Sequence, residues 1–182
     1  MIEDDVADSL MGAVRKIKDY PKAGVVFCDL NPIYGDGLLS AELVQSLYER
    51  LGEQIDVQDV DYVVAAEARG FILGSRLAAS MDCGFIPVRK RHKLPPPVME
   101  LEYELEYGSD WLVISRHLDL AGKKVVIHDD VLATGGTAKA AYDLVTNLGA
   151  ETKAFVFSLA VDDLDGEKNL PEDIPVLKVL SA

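Results

Sequence analysis

Two adjacent carboxylates precede a glycine-bearing loop in the segment VVIHDDVLATGGT, residues 125–137. The glycines tolerate the dihedrals that turn successive backbone N–H groups inward, and the helix predicted to follow adds the positive end of its dipole. This combination suits a phosphate monoester. The residues that we expect to hold the phosphate are Ala133, Thr134, Gly135, Gly136 and Thr137.

The carboxylates of Asp129 and Asp130 indicate a second part of the same ligand. A phosphate alone would be repelled by them, whereas ribose hydroxyls donate hydrogen bonds to carboxylates. The loop is neither a Walker A motif, because no GK[ST] follows, nor a GxGxxG dinucleotide turn. The segment therefore favours a ribose phosphate, and an ordinary strand-to-helix turn capped by aspartates is the alternative.

The motif EARG, residues 67–70, follows another predicted strand. Arg69 should therefore reach the same edge of the sheet as the glycine loop, where its guanidinium could bind a pyrophosphate through two hydrogen bonds. A surface ion pair between Glu67 and Arg69 is the alternative.

A basic run, RKRHK at residues 89–93, stands out in an acidic chain. We expect Arg89, Lys90 and Lys93 to contact a pyrophosphate, because cations already in place stabilise the charge that builds up on a leaving group. A solvated basic loop and a nucleic-acid patch are the alternatives, and the net charge of −13 disfavours the second.

Short apolar strands alternate with helices along most of the chain. Residues 6–18 have the apolar spacing of an amphipathic helix, and we expect Ser40 to cap a second such helix. The predicted strands are YVVAA, GFIPV, KKVVIHDD and KAFVFSLAV. This alternation predicts an α/β fold with a central, mainly parallel sheet, helices on both faces and ligands at the carboxyl ends of the strands.

Residues 98–115 have a different pattern. Apolar and glutamate side chains alternate with a period of two in VMELEYELEY, and WLVIS follows. Such alternation is typical of an antiparallel, half-exposed ribbon, so we expect these two segments to pair as a hairpin.

Composition restricts the function further. A chain of 182 residues with 49% apolar content fits one domain, 1–182, without disulfide support. Its apolar stretches are too short to span a bilayer, and its acidic N-terminus does not resemble a secretory signal. The two cysteines, Cys28 and Cys83, are expected to be reduced. We therefore expect a cytoplasmic protein that binds neither membrane nor nucleic acid.

The acidic pair followed by a Thr/Gly-rich loop resembles the type I phosphoribosyltransferase family. The similarity to its adenine-specific members extends through DYPKAGVVFCDL at 19–30, EARGF at 67–71, PVRKRHKLP at 87–95 and LEYG at 105–108. It implies transfer of ribose 5-phosphate from phosphoribosyl pyrophosphate (PRPP) to adenine, which gives AMP and pyrophosphate. It also implies a Mg²⁺ cofactor carried largely by PRPP near the acidic pair, and a homodimer.

The resemblance also assigns roles to residues. Residues 1–35 would form a hood with Phe27 stacked on the base and Val26 reading the purine edge through its backbone. Residues 89–115 would form a flexible catalytic loop and hairpin, in which Glu106 handles the base proton and Tyr107 helps to close the site. Arg69 and Lys90 would act with Glu106 in catalysis, while the acidic pair binds the 2- and 3-hydroxyls of ribose.

Two positions depart from the family pattern. Cys28 stands where the family usually has arginine, and His92 where it usually has glycine. A thiol cannot replace the donor fork of arginine, so a 6-oxopurine such as hypoxanthine or guanine is an alternative base. A PRPP-sensing regulator is a further alternative, although the acidic first twenty residues offer no basic recognition helix.

Overall fold

The computed structural model describes residues 2–105 and 108–182, which alternate between helices and strands over most of their length. The helices are α1 (Ile2–Ala13), α2 (Asn31–Gly35), α3 (Gly37–Gly52), α4 (Gly70–Ser80) and α5 (Gly136–Asn147). The strands are β1 (Arg15–Lys18), β2 (Val26–Asp29), β3 (Tyr62–Ala66), β4 (Gly84–Lys90), β5 (Val98–Leu105), β6 (Gly108–Ser115), β7 (Lys124–Leu132), β8 (Glu151–Ala160) and β9 (Val176–Ser181).

A mainly parallel sheet forms the centre of the fold. In the described part of the chain it has seven strands in the order β5-β6-β4-β3-β7-β8-β9. The neighbours from β4 to β9 in this order pair in parallel, whereas β6 is antiparallel to both β4 and β5. The predicted α/β fold and the predicted hairpin are therefore confirmed.

The sheet is covered on both faces. Val126 lies in a cluster with apolar residues of α1, α3 and α4, while its neighbour Val125 lies in a second cluster with residues of α5 and of the hairpin. Successive side chains of a strand point to opposite faces, so a strand that is apolar throughout requires a helix layer on each side.

The first helix is shorter than the sequence pattern predicts. It ends at Ala13, and Ile17 lies instead in β1, opposite Phe27 in a separate two-stranded antiparallel ribbon with β2. Apolar residues at 10, 14 and 17 fit a helical period, but the alternation of Arg15–Lys18 also fits a short strand. Pairing with β2 makes Arg15–Lys18 a strand and not the end of the first helix.

The predicted cap at Ser40 is wrong as well. Helix α3 begins at Gly37, and the carboxylate of Asp36 accepts hydrogen bonds from the backbone N–H groups of Leu38 and Leu39 at 2.8 and 3.1 Å. Ser40 lies buried in the first turn, where Arg76 of α4 donates to its hydroxyl. The Asp36 carboxylate satisfies the free N–H groups of the first turn, so the helix begins three residues before the predicted cap.

No helix within residues 2–105 and 108–182 has both the length and the apolar character needed to cross a membrane.

Candidate active site

The glycine loop, residues 133–137, connects the parallel strand β7 to helix α5. Gly135 has φ of 81°, and a Cβ at this position would lie 2.3 Å from the carbonyl oxygen of Gly166, so only glycine fits. The loop borders a cavity of about 60 Å³. Because the first N–H groups of a helix have no acceptor within it, those of α5 are available to an anion in this cavity.

Arg69 and Asp130 meet at this edge of the sheet. Strands β3 and β7 are neighbours, and Ala65 of β3 is level with His128 of β7. Arg69 follows Ala65 by a few positions, and Asp130 follows His128. The Nε of Arg69 lies 3.0 Å from a carboxylate oxygen of Asp130, whose side chain is 3% exposed. The hydroxyl of Tyr34, on α2, donates to the same carboxylate at 3.1 Å.

The acidic pair is held in an environment that disfavours its charge. Removal from solvent raises the pKa of Asp129, and the adjacent Asp130 raises it further. Burial also raises the pKa of Asp130, although Arg69 opposes this. Burial lowers the pKa of the preceding His128 to about 4, so this ring supplies no positive charge near pH 7. Hydroxyl donors or a cation would therefore bind the pair favourably.

An aromatic ring lies on the other side of Arg69. The guanidinium carbon of Arg69 is 5.3 Å from the ring centroid of Phe27, and Tyr20 packs edge-on against the same ring at 5.3 Å. Val26, which precedes Phe27, is 48% exposed. The Arg69 side chain therefore lies between Phe27, the predicted base-stacking residue, and the acidic pair.

Cys28 lies apart from this aromatic surface. Its side chain is buried and belongs to the core cluster beneath α3 and α4. Phe27 and Cys28 are consecutive residues of β2, and consecutive side chains of a strand point to opposite faces. The thiol is therefore part of the core and not of the surface that Phe27 presents.

The cations at the start of the basic run are paired with carboxylates. Arg89 Nε lies 3.0 Å from Glu67, and the hydrogen bond from Arg89 lowers the pKa of that carboxyl below its ordinary value. Glu67 therefore has Arg89 as its partner, while Arg69 pairs with Asp130 as described above. The alternative of a Glu67–Arg69 pair is wrong. Lys93 is near enough to lower the pKa of Glu67 further.

Lys90 is held by the hairpin. Its ammonium donates to the hydroxyl of Tyr103 at 2.7 Å and to the carboxylate of Asp110. Burial acts to lower the pKa of Lys90, but these two hydrogen bonds outweigh it and the pKa is raised. Lys90 is therefore a full cation at neutral pH, in contact with a carboxylate that a phosphate ligand would have to displace.

Two of the predicted site residues, Glu106 and Tyr107, lie outside the described residues. Sequence reasoning missed Tyr34, which is 96 positions away from Asp130 and carries no local motif. The roles of all the predicted site residues remain predictions, although the structure gathers most of them at one edge of the sheet.

Comparison with known proteins shows the family of this chain. The sequence matches the phosphoribosyl transferase domain over residues 34–181. The adenine phosphoribosyltransferase of Synechococcus sp. (strain JA-3-3Ab) is 43% identical over 171 residues, which cover 94% of this chain and 96% of that protein. The chain belongs to the adenine phosphoribosyltransferase family.

Solved structures of this family share the fold. The adenine phosphoribosyltransferase of Rhodothermus marinus matches with a TM-score of 0.90 and 39% identity, covering 98% of this chain and 99% of that one. The Saccharomyces cerevisiae enzyme, solved with adenine and an imino-altritol bisphosphate, matches with a TM-score of 0.89 and 36% identity over 97% and 99% of the two chains. The chain is therefore a transferase of purine salvage with the type I phosphoribosyltransferase fold.

Proposed function

We propose that this protein transfers the 5-phosphoribosyl group of PRPP to adenine, forming AMP and releasing pyrophosphate, with the residues gathered around Arg69. The observation that carries this proposal is the position of Arg69 between the Phe27 ring and the Asp130 carboxylate. An aromatic platform for a base and carboxylates for ribose hydroxyls are thereby placed next to each other, as a bond between base and ribose requires.

The reaction joins N9 of adenine to the anomeric carbon of PRPP. The bond from that carbon to the pyrophosphate oxygen breaks, its electron pair leaves with pyrophosphate, and N9 gives up its proton. Asp129 and Asp130 accept hydrogen bonds from the 2- and 3-hydroxyls, the loop 133–137 holds the 5-phosphate, and Phe27 stacks on the base. The protein contributes mainly by holding the two reactants in line.

Cations and the hairpin complete the site in this proposal. Arg89 and Lys90 exchange their carboxylate partners for the pyrophosphate, whose charge grows as it leaves, and Lys93 adds a third cation. Glu106 accepts the proton of N9, and Tyr107 closes over the ligands. Closure of residues 89–115 excludes water and so protects PRPP from hydrolysis.

Magnesium is the cofactor that we propose. Within residues 2–105 and 108–182, no group of three or more His, Cys, Asp or Glu side chains could hold a metal ion. The acidic pair has carboxylate oxygens, the ligands that Mg²⁺ prefers, and burial disfavours their negative charge unless a cation lies near them. These residues fit an ion carried by PRPP and water beside Asp129 and Asp130. Held there, the ion would supply positive charge that offsets the charge of the diphosphate.

We also propose a cytoplasmic homodimer. Leu38 at the start of α3 is 79% exposed, and Ile72 on the neighbouring α4 is 41% exposed. Large apolar side chains on two adjacent helices fit a self-complementary contact with a second copy. Both cysteines are free, as expected for a reducing compartment.

Nucleotide formation tests the base and the reaction together. The protein is incubated with PRPP, Mg²⁺ and equal amounts of adenine, hypoxanthine, guanine and xanthine, and the products are resolved by chromatography. We expect AMP to predominate. Predominant IMP or GMP would overturn the choice of adenine, and the absence of any nucleotide would overturn the proposed reaction.

A further inference from the structure

The chain passes the glycine loop a second time, directly after β8. Strands β7 and β8 are parallel neighbours, so both end at the same edge of the sheet, and the N–H of Val161 donates to the carbonyl of Leu132 at 2.9 Å. The segment that follows contains a short 3-10 helix, Gly166–Asn169, which lies against the loop.

Two residues of this 3-10 helix contact backbone carbonyls of the loop. Gly166 is buried, and a Cβ at its position would lie 2.1 Å from the carbonyl oxygen of Ala133. The side-chain amide of Asn169 donates to the carbonyl oxygen of Thr134 at 2.7 Å. Two successive carbonyls of the loop, those of residues 133 and 134, therefore face the segment 166–169.

The direction of these carbonyls fixes the direction of the N–H groups beside them. In a planar trans peptide, the C=O and the N–H of the same unit point in opposite directions. The N–H groups of Thr134 and Gly135 belong to these two peptide units, and so they point away from the segment 166–169. The cavity that the loop and the first turn of α5 border is lined by residues 133–138 and by none of residues 166–169, so an anion held there can meet the free N–H groups at the start of α5.

The segment is anchored on its own far side. Leu170 is 5% exposed and packs into the core cluster under α5. Lys178, on β9, pairs with Asp162 at 3.0 Å and with Glu167 at 3.2 Å. The contacts to the loop therefore come from a part of the chain that is itself fixed at both ends.

We propose that Gly166 and Asn169 are positioning residues for PRPP: the Asn169 amide holds the carbonyl of Thr134 outward and the missing side chain of Gly166 leaves room for the carbonyl of Ala133, so that the N–H groups of Thr134 and Gly135 face the 5-phosphate. This inference rests on the proposed function, since it assigns the loop to the phosphate of PRPP. Neither residue contacts the ligand itself in this arrangement.

The experiment compares Asn169→Ala with the wild-type protein in steady-state AMP formation and in calorimetric binding of ribose 5-phosphate. We expect KM for PRPP and Kd for ribose 5-phosphate to rise about threefold to tenfold, the effect of losing one hydrogen bond. KM for adenine should stay within about twofold, because only the phosphate contact changes. Asn169→Asp, which has the same shape but loses the donor and adds a negative charge, should weaken binding at least as much as Asn169→Ala.

Two further variants make the result specific. Lys168→Ala removes only the exposed pair with Asp165 in the same segment and should leave both constants unchanged. Gly166→Ala forces the carbonyl of Ala133 to move and should weaken ribose 5-phosphate binding more than Asn169→Ala does. An Asn169→Ala protein with wild-type KM for PRPP, or with equal changes for both substrates, would overturn the inference. A wild-type protein that forms no AMP would instead overturn the proposed function.

Discussion

The Nε atom of Arg69 lies 3.0 Å from a carboxylate oxygen of Asp130. The same guanidinium lies 5.3 Å from the centroid of the Phe27 ring, so one side chain contacts both the ribose half and the base half of the proposed site. A planar guanidinium can donate along its edge and stack with its face at the same time, which a lysine ammonium cannot do.

Arg69→Lys should therefore impair both substrates. We expect kcat/KM to fall by about tenfold to a hundredfold, with a higher KM for adenine as well as for PRPP. A lysine cannot both stack on the Phe27 ring and offer the several N–H donors of a guanidinium. Steady-state kinetics with each substrate varied in turn provide the measurement.

Arg50→Lys provides the matched control, since Arg50 is an exposed arginine in the last turn of α3. It should retain wild-type constants. A change in KM for PRPP alone in Arg69→Lys would contradict the bridging role of Arg69, because the Phe27 contact would then contribute nothing.

Asp129→Asn should stabilise the ligand-free protein while it weakens PRPP binding. The pKa of Asp129 is raised in the folded chain, so its contribution to stability is present at low pH and is lost as the pH rises through the raised value. Asparagine has no such dependence, and its side-chain oxygen can still accept the hydrogen bond from the N–H of Asp130.

Thermal unfolding at several pH values checks this prediction. The Tm of Asp129→Asn should exceed that of the wild type at pH 8, by about 2–4 °C for each kcal/mol gained, and the gap should shrink toward pH 5. KM for PRPP should rise. Asp143→Asn, at a partly exposed ion pair on α5, serves as the control. A gap that widens as the pH falls would show that the pKa of Asp129 is not raised.

The sequence alone predicts the part of the site whose residues are close together in the chain. The strand, the two aspartates, the loop and the helix follow one another within 125–137, and each has its own residue signature. Arg69 could also be placed, because the carboxyl ends of parallel strands share one edge.

Contacts between distant segments could not be foreseen. Tyr34 reaches Asp130 across 96 positions, and Asn169 reaches Thr134 across 35. Neither residue belongs to a recognisable pattern, since a tyrosine on a short helix and an asparagine at the end of a 3-10 helix are ordinary in a folded protein. The partners of Lys90 were equally hidden, because they depend on the register that places Asp110 opposite Tyr103 in the hairpin.

Asp110→Asn tests whether the hairpin competes with the ligand for Lys90. Without the carboxylate, pyrophosphate no longer has to displace a partner, and we expect KM for PRPP to fall by about two- to fivefold, the range for a partly exposed ion pair. The gain should vanish when Lys90→Gln is added.

Glu100→Gln is the control for that experiment, because it frees Arg91, to which no ligand contact is assigned. Its KM for PRPP should match that of the wild type. A higher KM for PRPP in Asp110→Asn would show instead that Asp110 orients Lys90 toward the ligand and does not compete with the ligand for it.

Phe27→Ala and Cys28→Ala form a matched pair that separates the base surface from the core. Stacking of a base on an aromatic side chain contributes roughly 1–3 kcal/mol, so Phe27→Ala should raise KM for adenine about tenfold or more and leave KM for PRPP nearly unchanged. Cys28, on the opposite face of β2, is 7% exposed and lies in the core. Cys28→Ala should lower the free energy of unfolding by about 1 kcal/mol through lost packing, with little effect on either KM. Competition between adenine and hypoxanthine, followed by chromatography of the nucleotides, shows which face of β2 selects the base. A changed ratio of AMP to IMP in Cys28→Ala would show that residue 28, on the core face of the strand, affects base selection. An unchanged ratio locates base recognition on the Phe27 face.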